Sequence, residues 1–435
     1  MTTMFRTSGG GMIDRNKPLN FIFDGETYRG FAGDTLASAL LANGVHLMGR
    51  SFKYHRPRGL IAAGAEEPNA LVSVDRGQSG KNRGRITPNL RATQVELYDG
   101  LIATSQNRWP SLGFDLGAVN DLAPSGLLSA GFYYKTFMAP ASAWHTLYDP
   151  LIRRAAGLGT APSLPDPDHY THLYAFCDVA IIGAGPAGLA AALAESEGSL
   201  RVILCDEQPE FGGSLQDERT ALIDGQPAAQ WARDAIRQLE VRGNVTLLRR
   251  TQAFGYYAQN FLGLAERLTD HLGSIPEGVP RERLWKVRAK RVVLATGAIE
   301  RPLVFPDNDR PGIMLASAAV TFANRYGVKP GSYAAILAAD DSGYRAALDL
   351  VAAGVSVAVI ADPRPAPSGP GLEAARKAGL RIETATTITA TTGRKRVSSA
   401  TLGLIGPNGA VISGRTVSCD LVLMAGGWTP SVHLL

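Results

Sequence analysis

The residues of this sequence that are best suited to a chemical role are glycines that follow a short hydrophobic stretch. Gly183, Gly185 and Gly188 form a GxGxxG pattern that encloses Ala187 and opens an Ala- and Leu-rich segment. In such a pattern the first glycine permits a tight turn, the second lets the backbone approach a pyrophosphate, and the third lets a helix pack closely on a strand. The helix N-terminus presents free N–H groups and a positive dipole end to phosphate. The pattern therefore predicts a dinucleotide-binding site.

An acidic pair follows the second predicted strand of this motif. Asp206 lies 23 residues after Gly183, where a carboxylate can accept hydrogen bonds from the adenosine ribose, and Glu207 is the alternative. An acid at this position disfavours a 2′-phosphate, so NAD or FAD is expected rather than NADP. Further positions are predicted to line the cofactor, first on the adenosine side and then towards the nicotinamide end: Gln208, Ser214 and Ala253, then Thr296, Gly297, Gly426 and Thr429.

Residue chemistry alone identifies no catalytic acid, base or nucleophile. The histidines show no metal-ligand spacing, and the sequence contains no GxSxG, HExxH or P-loop motif. Cys177, Cys205 and Cys419 are too far apart for a disulfide framework, a CxxC pair or a cysteine-ligated metal. We expect no metal site, and we expect three buried, inert thiols in a reducing compartment.

Length and composition indicate a multidomain globular protein. The chain has 435 residues, of which 45% are hydrophobic and 19% are charged, and these values exclude global disorder. No hydrophobic run approaches the roughly 20 residues that a membrane-spanning helix needs. Residues 1–20 contain no hydrophobic core of a signal peptide. We therefore expect a cytoplasmic protein without a membrane segment.

The positive charge is concentrated in one segment. The net charge is +5 for the whole chain but +6 for residues 50–91 alone. No stacking aromatic pattern or recognition helix accompanies this charge, so we do not expect nucleic acid as a partner. A solvated face, a subunit interface around residues 53–58, or a site for phosphate remain the alternatives.

Three segments separate along the chain. Residues 13–105 alternate short strand-like runs with turns around one helical run, which predicts a small α+β module. Residues 106–175 form a connecting segment with clustered aromatics and a Pro-rich linker. Residues 176–435 alternate strand and helix patterns, which is typical of a doubly wound, parallel α/β dinucleotide-binding domain.

The α/β segment contains a nested second half at about residues 300–420. There Ala338 and Asp340 occupy the positions of the first two motif glycines. Because a carboxylate repels a pyrophosphate in a low-dielectric site, this half is expected to keep the fold without binding a dinucleotide of its own.

Several stretches resemble the α subunits of heterotetrameric sarcosine oxidases. They are residues 23–28, 31–44, 49–59, 131–138 and 151–159, together with the glycine motif and residues 206–214. The resemblance extends over residues 13–433. It implies that the N-terminal module is a β-grasp, [2Fe–2S] ferredoxin-like domain. Since no cysteine precedes Cys177, no cluster can form there.

The resemblance also implies cofactors and partners. The α subunit of this family carries NAD. FAD lies in the β subunit, where sarcosine is oxidised, and FMN lies at the interface of the α and β subunits. The γ and δ subunits complete the complex. The α subunits continue into a folate-binding half that this sequence does not contain, so we interpret the 435 residues as a fragment or a truncated product.

Residue patterns and resemblance disagree about the cofactor at Gly183. The Gly-Gly loop at residues 212–213 and the Ala-Thr-Gly run at residues 295–297 are typical of FAD-binding enzymes. The resemblance implies NAD, which we adopt. The alternatives are a self-contained FAD-dependent NADH oxidoreductase, a related amine or opine dehydrogenase subunit, and a structural subunit with an empty pocket that docks through residues 132–148.

Overall fold

The chain divides into two compact units. The computed structural model describes residues 4–76, 85–122, 139–155 and 157–435. One unit comprises Met1–Asp166 and Pro302–Gly427, and the other comprises Pro167–Arg301 and Trp428–Leu435. The nested second half of the α/β segment therefore shares a compact unit with the N-terminal module. Apart from this, the three predicted ranges stay a prediction.

The α-helices of the described residues are α1 (Leu36–Ala42), α2 (Asp149–Ala155), α3 (Pro186–Glu195), α4 (Ala228–Glu240), α5 (Ala316–Asn324), α6 (Asp341–Ala352) and α7 (Pro370–Lys377). The strands before the glycine motif are β1 (Asp14–Phe23), β2 (Glu26–Ala32), β3 (Gly49–Arg50), β4 (Pro57–Arg58), β5 (Leu71–Asp75), β6 (Ile86–Arg91), β7 (Leu101–Ser105) and β8 (Tyr170–Ile182). Those that follow it up to residue 300 are β9 (Val202–Cys205), β10 (Leu222–Ile223), β11 (Gln226–Pro227), β12 (Val245–Leu248), β13 (Thr251–Tyr257), β14 (Phe261–Arg267), β15 (Glu282–Leu294) and β16 (Ala298–Glu300). The remaining strands are β17 (Ile313–Leu315), β18 (Tyr333–Ala338), β19 (Ser356–Ala361), β20 (Ile382–Glu383), β21 (Thr386–Thr392), β22 (Ser399–Ile405), β23 (Val411–Ser418), β24 (Leu421–Ala425) and β25 (Trp428–Pro430).

The N-terminal module is a five-stranded mixed sheet with α1 packed on it. Its strand order is β2-β1-β7-β5-β6, with β1 parallel to β7 and antiparallel to β2. The β1–β2 turn uses Asp24 and Gly25, both at positive φ. Helix α1 begins after Thr35, whose side chain accepts a hydrogen bond from the Ser38 N–H while the Ser38 side chain accepts one from the Thr35 N–H.

Arg6, in the segment before β1, links this module to the second α/β half of the same unit through a buried ion pair and a hydrogen bond. Arg6 Nη2 lies 2.7 Å from Asp34 Oδ2, and both side chains are almost fully buried. Arg6 Nη1 also donates to the backbone carbonyl of Tyr326 at 2.8 Å. Because breaking a buried pair leaves an uncompensated charge, this contact strongly favours one arrangement of the N-terminal segment.

The second half is a five-stranded parallel sheet of order β17-β24-β18-β19-β20, accompanied by a three-stranded antiparallel sheet of β21, β22 and β23. Helices α5 and α6 contribute Phe322 and Tyr344 to the same hydrophobic core as Leu36 and Leu40 of α1. Through this shared core, residues 302–427 form one compact unit with the N-terminal module and not with the part that carries the glycine motif.

The other unit carries the glycine motif. Its six-stranded sheet has the order β12-β9-β8-β15-β14-β13. Strands β12, β9, β8 and β15 are parallel, and β14 and β13 extend the sheet in antiparallel fashion. Helices α3 and α4 bury Leu189 and Leu239 in a core with Ile181 and Leu204. Within the described residues, no helix combines the length and the apolar character that crossing a membrane would require.

His46 makes the stability of the unit that contains the N-terminal module dependent on pH. Its ring is buried against the edge of Phe5, with the ring centroids 5.1 Å apart. Burial, reinforced by the positive charge of Arg396, lowers the pKa of His46 to about 3. The unfolded chain binds a proton at the ordinary pKa of about 6.5. The contribution of His46 to stability is therefore fully present above that pH and is lost as the pH falls towards the folded-state pKa.

We expect His46→Gln to reduce the loss of stability in mild acid. Below about pH 6, the wild-type free energy of unfolding should fall by up to about 1.4 kcal/mol per pH unit more than that of the variant. Urea unfolding at several values between about pH 7 and pH 5 measures both slopes. Equal slopes would contradict the assignment of a buried, neutral His46.

Candidate dinucleotide-binding site

The first motif glycine lies where three parallel strands meet. Gly183 follows β8 at φ +98°, and its N–H donates to the carbonyl of Cys205 at 2.9 Å. A Cβ at this position would lie 2.3 Å from the carbonyl oxygen of Ala295. Only glycine allows the chain to turn here between the ends of β9 and β15.

Gly188 and Gly185 differ in what surrounds them. A Cβ on Gly188 would lie 1.8 Å from the carbonyl oxygen of Gly183, so a side chain there would separate α3 from β8. Around the Cβ position of Gly185, no atom of the described residues lies within 4 Å. Gly185 is the N-cap of α3 and Pro186 occupies its first turn, as expected for a helix start. Gly185 thus leaves space at the helix N-terminus, which fits the close approach of a pyrophosphate.

Asp206 directly supports this loop. One carboxylate oxygen accepts a hydrogen bond from the Ala184 N–H at 2.7 Å, and the other accepts one from the Gln208 N–H at 2.8 Å. The half-buried side chain thus contacts both the glycine loop and the residues that follow β9. Asp206, the residue predicted to bind the ribose, therefore lies beside the glycine loop and also fixes its shape.

The second glycine loop packs on the first. Gly212 and Gly213 both have positive φ, and the Gly212 N–H donates to the carbonyl of Ala184 at 2.8 Å. A Cβ on Gly213 would lie 2.9 Å from the Cα of Gly185. The Gly-Gly pair is therefore needed for the contact between two backbone segments, whichever dinucleotide binds.

The other predicted positions are used in different ways. Ala253 is buried in β13 opposite Leu264, and the side chains of Ala187 and Ser214 are exposed. The Thr296 hydroxyl donates to the carbonyl of Ser431 at 2.6 Å. Glu207 and Gln208 are half-buried and follow Asp206 directly. The Gly297 carbonyl accepts a hydrogen bond from the Ser431 N–H, and Thr429 pairs with Ile299 between β16 and β25. Gly426 belongs to the other compact unit. Their assignment to a cofactor stays a prediction.

Two arginines after β12 were missed from the sequence. Arg249 lies over the Phe211 ring, with its guanidinium carbon 4.7 Å from the ring centroid. Arg250 is in the left-handed region and donates its N–H to the carbonyl of Gln208 at 3.0 Å. Strand β12 neighbours β9, so the rule that ligands bind at the carboxyl ends of parallel strands would have found this pair.

The cysteines of this unit are not reactive groups. Cys177 and Cys205 are buried and free. Burial raises the pKa of Cys177 to about 11 and that of Cys205 to about 12. Both thiols therefore stay protonated near neutral pH, in agreement with the expectation of inert thiols.

In the second half, protein groups take the place that a ligand would need. The Asp340 carboxylate caps α6 by accepting from the N–H of Ser342 at 3.0 Å. At the end of β19, Asp362 is fully buried and accepts from the Tyr344 hydroxyl at 2.6 Å and from Arg364 Nη2 at 2.6 Å. Both carboxylates thus serve internal contacts, which supports the prediction that this half binds no dinucleotide.

The charges of the basic segment are largely compensated within their own unit. Arg58 lies 2.5 Å from Asp309, and Arg56 lies 2.6 Å from Asp121. A cavity of about 430 Å³ is lined by both signs of charge, including Asp307. This mixture does not favour phosphate, while an interface here stays a prediction. Lys81, Arg83 and the aromatic residues Phe132, Tyr133, Tyr134 and Phe137 lie outside the described residues.

The fold and the glycine loop define a dinucleotide-binding oxidoreductase. The pyridine nucleotide-disulphide oxidoreductase family matches residues 177–435, more than half of the sequence. The chain therefore belongs to this family, which implies binding of a flavin or a pyridine nucleotide. The 2Fe-2S iron-sulfur cluster binding domain family matches residues 16–108.

Relatives confirm the resemblance seen in the sequence. The chain is 52% identical over 430 residues to the sarcosine oxidase α subunit of Rhizobium meliloti (strain 1021), covering 99% of this chain and 42% of the relative. It is 38% identical over 431 residues to that of Corynebacterium sp. (strain P-1), covering 98% of this chain and 39% of the relative. The chain thus spans about two fifths of the length of these relatives.

More distant similarities are also present. An opine oxidase subunit of Agrobacterium tumefaciens (strain Ach5) is 31% identical over 209 residues, covering 45% of this chain and 39% of the relative. The crystal structure of L-proline dehydrogenase from P. horikoshii aligns with a TM-score of 0.61 at 18% identity, covering 99% of this chain and 63% of that one. At this identity the likeness concerns the fold alone, and it confirms the predicted α/β class.

The iron–sulfur match does not fit the residues present. A [2Fe–2S] cluster is held by four cysteines, or by cysteines and histidines in Rieske centres. Residues 16–108 contain no cysteine. The domain therefore has the fold of a cluster domain without its cysteine ligands.

We expect Gly188→Ala to destabilise the protein and Gly185→Ala to leave its stability almost unchanged. The Cβ of the first would overlap the Gly183 carbonyl oxygen and should cost about 1–3 kcal/mol or more. The Cβ of the second points into open space at a β-region φ of −73°, so the free energy of unfolding should stay within about 0.5 kcal/mol. Chemical denaturation of both variants measures the difference. Equal losses would contradict this geometry.

Proposed function

We propose that this chain is the NAD-binding part of the α subunit of a heterotetrameric sarcosine oxidase. The observation that carries the proposal is its 52% identity, over 99% of the chain, to a sarcosine oxidase α subunit. Two features agree with a single bound dinucleotide. Gly185 leaves space at the N-terminus of α3, and in the second half the Asp340 carboxylate already caps α6.

The residues around the loop divide the binding of NAD among them. The N–H groups at the start of α3 bind the pyrophosphate, and the absence of a side chain at Gly185 lets it approach. Asp206 or Glu207 accepts the ribose hydroxyls, and its charge disfavours a 2′-phosphate. Gln208, Ser214 and Ala253 line the adenosine side. We assign Thr296, Gly297, Gly426 and Thr429 to the nicotinamide side.

The oxidation itself belongs to the assembled complex. Sarcosine is oxidised at FAD in the β subunit and is converted to glycine, and FMN lies where the α and β subunits meet. Molecular oxygen is the final electron acceptor of the complex and is reduced to H2O2. The one-carbon unit passes to tetrahydrofolate in the full complex. The γ and δ subunits complete the cytoplasmic complex. The role of this chain is to hold NAD and to bind its partners.

One alternative has a specific observation in its favour. The matched family and the Gly-Gly loop are compatible with FAD, which would make the chain an FAD-dependent NADH oxidoreductase in its own right. An amine or opine dehydrogenase subunit is supported less, since the opine oxidase similarity covers 45% of the chain.

Purification of the chain followed by denaturation distinguishes these functions. We expect no flavin absorbance and release of NAD, identified by its mass, in about equimolar amount. Released FAD would overturn the assignment of NAD and favour the alternative. A chain that releases no dinucleotide and binds none on titration would indicate a purely structural role.

The ribose assignment is tested by Asp206→Asn. The amide keeps one acceptor oxygen for the loop but replaces the other with a donor, so NAD affinity should fall at least about tenfold, since one charged hydrogen bond contributes roughly 1.5–3 kcal/mol. Glu207→Gln is the matched control, and thermal melting shows whether the loop stays folded. Unchanged affinity in Asp206→Asn with a large loss in Glu207→Gln would assign the ribose to Glu207 instead.

A further inference from the structure

The iron–sulfur fold without cysteines has an unusual centre. Plant-type [2Fe–2S] domains space their ligands as C-x4-C-x2-C, with a fourth cysteine further along. In this chain the same spacing falls on Ala62, Glu67 and Ala70, and Ala92 lies further along on a neighbouring segment. All four residues are buried, with at most 1% of their surface exposed.

The Glu67 side chain fills the space enclosed by this loop. One carboxylate oxygen accepts hydrogen bonds from the N–H groups of Ile61 and Ala62, both at 2.8 Å. The other oxygen accepts from the N–H groups of Asn69 at 2.7 Å and Ala70 at 3.1 Å. Four donors suit the ionised carboxylate, which only accepts. Converging backbone N–H groups of this kind form anion-binding nests, which are common at phosphate and Fe–S sites.

The fourth position closes the same cluster. The Ala92 N–H donates to the carbonyl of Ala70 at 2.9 Å. The Thr93 hydroxyl donates to the carbonyl of Gly64 at 2.7 Å, so the segment that follows β6 lies directly on the loop. Ala62, Glu67, Ala70 and Ala92 are therefore gathered in one buried place.

We propose that the Glu67 carboxylate occupies the anion nest that a cluster domain builds around its iron–sulfur cluster, with Ala62, Ala70 and Ala92 at the former ligand positions. An internal anion thus orders the loop in place of a bound one, and the module is a redox-inactive structural domain. This inference is independent of the NAD assignment, because it concerns the N-terminal module alone.

The first test removes the carboxylate. Glu67→Gln places an NH2 group against two N–H donors, so the thermal midpoint of the full chain should fall by roughly 5 °C or more. Glu66→Gln is the matched control, because the neighbouring side chain is exposed and should leave the midpoint unchanged. In Glu67→Ala, added formate should raise the midpoint in a dose-dependent manner, while the wild type does not respond. Equal midpoints in the two glutamine variants, or no response to formate, would overturn the proposal.

The second test restores the ligands. A variant with cysteine at positions 62, 67, 70 and 92 is reconstituted with iron and sulfide under anaerobic conditions. We expect two irons and two sulfides per chain and visible absorbance bands that bleach on reduction. The control moves the four cysteines to positions 61, 66, 69 and 91. If the first variant is folded and holds no more iron than the control, the ligand-position assignment is wrong. If it does not fold, the glutamine and formate measurements decide the proposal.

Discussion

The glycine loop depends on the close contact between the start of α3 and the end of β8. Gly188 lies so near the Gly183 carbonyl that a single methyl group would overlap it, and Gly183 itself is confined between the ends of β9 and β15. This contact sets the direction of α3 and brings Gly185 to the helix N-terminus. Asp206 and the Gly-Gly loop then attach to Ala184 from two sides. The shape of the candidate site therefore follows from steric limits on the backbone more than from polar side chains.

The two α/β halves have similar topology but differ in whether a helix N-terminus is free to bind an external anion. Both have neighbouring parallel strands and a helix that starts just after one of the central strands. In the first half the position at Gly185 is open, whereas in the second the Asp340 carboxylate caps the corresponding helix. The acid after the second strand differs too, because Asp362 is fully buried by Tyr344 and Arg364. A helix N-terminus binds an external anion only if the chain does not already supply one.

Sequence patterns predicted the parts of the fold that depend on local spacing. The glycine motif, the acid at residue 206 and the altered second motif are defined by residue types at fixed spacings, which are visible in the sequence itself. The shared core of α1, α5 and α6 could not be predicted, because hydrophobic periodicity shows that a face is buried but not which partner covers it. For the same reason the arginines at residues 56 and 58 looked like a free basic patch, while their aspartate partners lie more than 60 residues further along the chain.

One type of interaction, a carboxylate that accepts backbone N–H groups, recurs in three loops of this chain. Carboxylates accept backbone N–H groups at Asp206, Asp340 and Glu67, and in each case they order a loop or helix end that would otherwise leave donors unpaired. Their positions decide what the loops can do. Asp206 contacts its loop at Ala184, and no described atom lies within 4 Å of the Cβ position of Gly185. Glu67 lies inside its loop, where the four N–H groups are already satisfied. Among these three loops, Gly185 leaves space at its helix N-terminus, whereas Asp340 and Glu67 themselves accept the N–H groups of theirs.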